Sequence, residues 1–256
     1  MSIKDLTQKS FSVLIIRSFG VLLLFGFTLF ITNFFTPENV GRYDFVRSTI
    51  MVLGGLALMG TNQSIIYYSG LLKARKSVES IRIIYFKMLR IIFALSLIIL
   101  GLFVGIFNEA TILQIFKSEE SFSLILKSIL TLIFFSTTML NIDTIRALEK
   151  TILSEMYRSL FRYLPVFVFA IILLKTNRQS LLVEAYLLGF ILLSIFSFVR
   201  VFALLSKLET PRDDSENFSV KEIFKTSAPM ALSAIAYFIM QSIDIIILSI
   251  YEGFDQ

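Results

Sequence analysis

The chain has no cysteine and no histidine. That excludes disulfides, thiol nucleophiles, imidazole bases and most zinc chemistry. Acyl transfer driven by a histidine base is excluded with them. The redox compartment stays open. Tryptophan is also absent, proline occurs only 4 times, and no glycine-rich phosphate loop appears. No catalytic residue, metal site or cofactor is expected, and the chain does not read as an enzyme. The net charge of +5 is modest and reports loops rather than a nucleic-acid partner.

What fills the chain is apolar. Of 256 residues 56% are hydrophobic, 27 are phenylalanine, and the mean hydropathy is +0.80. Polar residues fall in short stretches between long apolar runs, the pattern of an all-α, multi-pass membrane protein. A β-barrel is disfavoured because the runs lack period-two alternation. The first run ends in "ITNFFTPENVG" with no small-residue cleavage site, so it reads as a retained helix rather than a signal peptide.

A helix needs about 20 apolar residues to cross a bilayer. Seven segments qualify: Phe11–Phe35, Phe45–Tyr68, Ile83–Phe107, Phe122–Leu140, Met156–Leu174, Leu181–Leu205 and Ala228–Tyr251. Of the 24 Lys and Arg, only Arg42, Arg47, Lys117, Lys127, Lys175 and Arg178 fall on one side of these spans. The excess on the other side predicts a cytoplasmic N-terminus in a cell membrane. With no tryptophan, the interfacial belt falls to Tyr43, Tyr67, Tyr68, Tyr85, Tyr157, Tyr163 and Tyr251.

The spans divide the chain into a six-helix bundle over 1–206, a polar linker over 207–227 and a seventh helix over 228–256. The linker carries a capping-box spacing, Ser219 with Glu222, and predicts a short amphipathic helix on the cytoplasmic surface. Its "RDD", Arg212–Asp214, has the look of an acidic metal or nucleotide-sugar motif but lacks any strand pattern around it.

Several spans carry polar stripes at helical spacing. They are Arg17, Gly20, Thr28 and Thr32; Arg47, Gly54 and Thr61 with Asn62 and Gln63; Lys127, Thr131, Thr138 and Asn141; and Ser233, Tyr237, Gln241 and Asp244. Small and hydroxyl residues on such faces also serve helix packing. Arg17 stands near a span end and either snorkels to the headgroups or lines a cavity. Charges inside a span otherwise face the bundle interior or water. Here they are mostly cations, which suits an anionic substrate. The candidates for anion contact are Arg17, Arg47, Lys127 and Arg162. Gln241 and Asp244 are candidates for sugar hydroxyls or a coupling cation, and Asn62 is a further candidate for substrate binding.

Two stretches carry a resemblance. "KSFSVLIIRSFGVLLLFGFTLFITNFFTPENVGRYDFVRSTIMVLGGLALMGTNQSIIYY" resembles the start of bacterial polysaccharide flippases of the multidrug/oligosaccharidyl-lipid/polysaccharide transporter superfamily. "FKTSAPMALSAIAYFIMQSIDIIILSIYEGFDQ" resembles their seventh helix, with Pro229 opening the span and Asp244 near its middle. Ile245 stands where many members carry a basic residue. The resemblance implies twelve to fourteen helices in two similar bundles, of which this chain holds the first bundle and the opening helix of the second. Laying Lys9 on Lys225 also lays Phe35 on Tyr251, which fits parallel repeats. The expectation is therefore an incomplete or split transporter whose C-terminal half lies elsewhere.

The function implied is export of a polyprenyl-diphosphate-linked oligosaccharide, a lipid-linked anionic glycan, across the bilayer by alternating access. A small-molecule or drug exporter of the same superfamily is the alternative, though it would favour carboxylates over arginines in its cavity. A glycan polymerase would need a larger outside loop. A seven-helix receptor would place its N-terminus outside.

Overall fold

A computed structural model describes residues 3–209 and 218–251. Arg212–Asp214 of the linker and the last residues of the chain lie outside the described residues. Ten α-helices occur among the described residues: α1 Ile3–Phe34, α2 Pro37–Leu58, α3 Thr61–Ala74, α4 Ile81–Ile106, α5 Glu109–Phe116, α6 Ser121–Ala147, α7 Thr151–Met156, α8 Leu164–Lys175, α9 Leu182–Leu205 and α10 Val220–Tyr251. Six helical segments are long and apolar enough to cross a bilayer, and a seventh forms if α2 and α3 count as one bent span. The chain is an all-α, multi-pass membrane protein. The α1–α2 turn marks what we call the upper end, and the α3–α4 turn the lower end.

Local chemistry sets the helix ends. Thr36 caps α2 by accepting from the Asn39 amide at 3.4 Å, with Pro37 in the first turn, where its missing N–H costs nothing. Asn108 caps α5 by accepting from the Thr111 amide at 2.8 Å, and Lys117 ends that helix in a left-handed conformation. Sequence periodicity did not reveal α5. The capping box at Ser219 forms as expected: the Ser219 amide donates to Glu222 at 2.6 Å, and the Glu222 amide donates to the Ser219 hydroxyl at 3.2 Å. It opens no separate surface helix. One continuous α10 runs from Val220 through Pro229 to Tyr251.

The second expected span, Phe45–Tyr68, is broken. Met59 (φ 44°) and Gly60 (φ 74°) adopt left-handed geometry, and α3 leaves α2 at 41°. A Cβ on Gly60 would lie 2.3 Å from the Ser227 carbonyl oxygen and 2.7 Å from the Ala231 amide. Only glycine lets α10 come this close. The Ser64 and Ser227 hydroxyls then meet at 2.6 Å. Higher up, Gly55 admits Phe238 and Gly54 admits Phe135, which drives the Phe135 ring into the bundle.

The interior has an upper and a lower apolar cluster. Phe27, Tyr43, Phe45, Phe135, Tyr186 and Phe190 fill the upper one. Tyr68, Tyr85, Met88, Ile145 and Leu205 fill the lower. Tyr43, Tyr68 and Tyr85 are thus core residues and not part of an interfacial belt, which corrects the sequence expectation. The Tyr85 hydroxyl donates to Asn141 at 2.6 Å, and the Asn141 amide donates to Ser197 at 2.9 Å. This chain joins α4, α6 and α9 and explains how a buried asparagine is tolerated. The outer faces of α1, α4, α9 and α10 present Phe19, Phe93, Leu102, Phe196 and Leu248, a surface matched to hydrocarbon.

Candidate anion site in the bundle

The fifth span is not a regular helix. Between α7 and α8 the chain winds one π turn, Tyr157–Phe161, and Pro165 in the first turn of α8 contributes no N–H. Such turns displace side chains from the regular helical sequence and recur at functional sites. Arg162 follows it, midway along the span. Its guanidinium lies over three rings, 5.5 Å from the centroid of Tyr163, 5.8 Å from Phe190 and 5.9 Å from Phe135. A charge at the bilayer centre costs about 2.5–3.5 kcal/mol. Each ring returns about 0.5–2 kcal/mol of that. Among the described residues no carboxylate pairs with Arg162.

The rings belong to a ladder of edge-on contacts. Tyr43 meets Tyr186 at 5.1 Å, Tyr186 meets Phe190 at 5.1 Å, and Phe190 meets Phe135 at 5.1 Å. Tyr186 is 4% exposed, yet its hydroxyl has no hydrogen-bond partner. A buried orphan hydroxyl is uncommon and marks a place where a polar group is wanted. Both Arg47 and Arg162 lie within electrostatic reach of Tyr186. Helices α2 and α9 and the π turn before α8 thus assemble two cations and a free hydroxyl in one aromatic setting.

The other expected anion contacts are engaged. Arg17 forks onto Glu155, with Nε 3.2 Å from Oε1 and Nη2 3.3 Å from Oε2. The Ser159 hydroxyl donates to the same carboxylate at 2.7 Å. Gly20 makes this approach possible, since a Cβ there would lie 2.5 Å from that of Ser159. Arg17 therefore neither snorkels alone nor waits for a ligand. Arg47 sits 3.0 Å from Asp44, and Lys127 2.6 Å from Glu184.

Asn62 donates to Asp143 at 3.1 Å, and Arg158 pairs with the other oxygen of that carboxylate. Gln241 bonds the Tyr237 hydroxyl at 2.6 Å and, like Asp244, is exposed on α10. The structure therefore places Arg47 and Arg162 within electrostatic reach of one hydroxyl, that of Tyr186. Arg17, Asn62, Lys127 and Gln241 bond other partners, and Asp244 lies on the exposed face of α10.

Sequence reasoning missed Asp143, Glu155, Arg158 and Tyr186. The signal for Glu155 was present, in an acidic residue followed by Arg158 and Ser159 within an otherwise apolar segment. Tyr186 gave no signal, because a tyrosine in an apolar helix looks like core. At the upper end a cavity of about 230 Å³ is lined by Arg42, Glu120, Lys127 and Glu184, where acids and bases balance. Among the described residues no three acidic side chains gather as a metal site. No known family, curated protein or solved structure matches the chain.

Proposed function

We propose that this chain is the first bundle, with the opening helix of the second, of a flippase for a polyprenyl-diphosphate-linked oligosaccharide, moving it from the cytoplasmic to the outer leaflet for surface polysaccharide export. The observation that carries this reading is Arg162, a mid-span cation without a carboxylate among the described residues, beside the unpartnered Tyr186 hydroxyl. A diphosphate would satisfy both. The planar guanidinium takes two oxygens at once, and the tyrosine donates one further hydrogen bond. The aromatic ladder keeps the site poor in water, which strengthens the contact.

A sugar–diphosphate needs a polar path past hydrocarbon. The exposed polar stripes of α1 and α10, with Thr28, Thr32, Gln241 and Asp244, would face a second bundle across that path, and rocking between the two would open it alternately to each side. The lower end, which carries most of the Lys and Arg, would lie in the cytoplasm. The small-molecule exporter is favoured by one observation, the buried carboxylates of Asp143 and Glu155. Both are already paired with arginines, which leaves them poor cation ligands.

The test is deletion of the gene in its own host, followed by assay of which leaflet holds the polyprenyl-diphosphate glycan. Accumulation in the cytoplasmic leaflet with loss of surface polysaccharide is expected. An unchanged distribution refutes the reading.

A further inference from the structure

Arg90 lies on the outer face of α4 with Phe86, Leu89 and Phe93 at helical spacing. These residues form one wall of a lipid-facing groove of about 430 Å³, and Ile133 and Thr137 of α6 and Phe198 of α9 form the other. Two polar groups stand in this otherwise apolar groove. Arg90 is exposed and Thr137 half-buried. Neither side chain has a hydrogen-bond or ion-pair partner among the described residues. Arg17, Arg42, Arg47, Lys127 and Arg158 are paired with acids; among the described residues Arg90, like Arg162, is not.

Depth decides what can reach it. The 26 residues of α4 span about 39 Å, against about 30 Å of hydrocarbon. Arg90 then lies about 9 Å inside the hydrocarbon from the lower headgroup layer, within reach of a phosphate by a tilted arginine side chain. A soluble anion would have to enter hydrocarbon to meet the apolar walls. A molecule with an anionic head and an apolar tail meets both.

We propose that this groove binds an anionic phospholipid, its phosphate on Arg90 and Thr137 and an acyl chain along Phe93, Ile133 and Phe198. The site lies on the outside of the bundle and is independent of the Arg162 cluster and of the transported cargo. A lipid held there would bridge α4, α6 and α9 and couple membrane composition to their packing.

The absence of tryptophan makes a direct test possible. Phe198→Trp places a single tryptophan, excited selectively over the tyrosines, on the groove wall. The full chain is reconstituted in phosphatidylcholine vesicles containing a fixed fraction of brominated phosphatidylglycerol or brominated phosphatidylcholine. Quenching should show a preference for phosphatidylglycerol of about fivefold, the factor one basic residue contributes at an anionic surface. Adding Arg90→Gln should bring the two lipids to parity, and Arg90→Lys should restore part of the preference. Phe93→Trp repeats the measurement from the opposite wall, so that loss of folding in one variant does not decide the outcome. Leu102→Trp, higher on α4, should show no preference. Equal quenching in the parent, preference that survives Arg90→Gln, or displacement by inorganic phosphate would each overturn the proposal.

Discussion

Arg17 and Glu155, separated by 138 positions in the chain, form a two-pronged ion pair that fastens α1 to α7. The Arg17 side chain is 61% exposed and that of Glu155 only 9%. The carboxylate is therefore the member that loses most when the pair is cut. Arg17→Gln should destabilise the protein by about 1–3 kcal/mol, the cost of a buried acceptor left without its donor. Glu155→Gln should cost less, because Arg17 retains access to its surroundings. The coupling from a double-mutant cycle should be about 1 kcal/mol, since the exposed partner is partly screened. Unfolding measurements on the four proteins provide the check. A coupling of zero would make the pair incidental.

Gly60 is the second point where geometry makes a sharp demand. Its φ is 74° and α10 lies against it. Gly60→Ala should cost about 2–5 kcal/mol, combining left-handed strain with overpacking against Ser227. Gly70 has open space around its Cβ position and sits inside α3. Gly70→Ala should fall within about 1 kcal/mol of the parent. Comparable losses from both variants would show that the approach of α10 to Gly60 is not tight.

The cysteine-free chain allows the placement of the turns to be read directly. Cysteines at Glu38 and Thr176 occupy the upper end, and one at Ala74 the lower. An impermeant thiol reagent applied to intact cells should label the first two alike and Ala74→Cys only after the membrane is opened. Labelling of Glu38→Cys and Ala74→Cys from the same side would contradict the span order.

Hydropathy revealed the membrane class and the approximate position of most helices, because apolar length is what a bilayer selects. It failed where charge is paired inside a span. The expected fourth span stopped at Leu140, yet α6 continues to Ala147, with Asp143 paired to Arg158 and hydrogen-bonded by Asn62. Hydropathy reads such charges as loop, since a single residue does not show its partner. The break at Met59–Gly60 was hidden for the opposite reason: "LGGLALMG" is apolar throughout, and only backbone geometry reveals the turn. Of the expected site, Arg47 and Arg162 were legible as cations within spans. What separates Arg162 from Arg17 and Lys127 is the absence of an acid beside it, and that depends on residues far away in sequence.

Arg162 supplies the most direct test. The measurement is binding of a polyprenyl diphosphate to the purified chain in nanodiscs, for the parent and for three variants. Arg162→Gln should weaken binding about tenfold or more, the value of a charge-assisted hydrogen bond in a dry site. Arg162→Lys should retain part of it, because an ammonium keeps the charge but not the two-pronged geometry. Arg17→Gln should stay within about twofold of the parent, because Glu155 already occupies that guanidinium. Unchanged binding by Arg162→Gln, or equal losses at Arg17 and Arg162, would contradict the account.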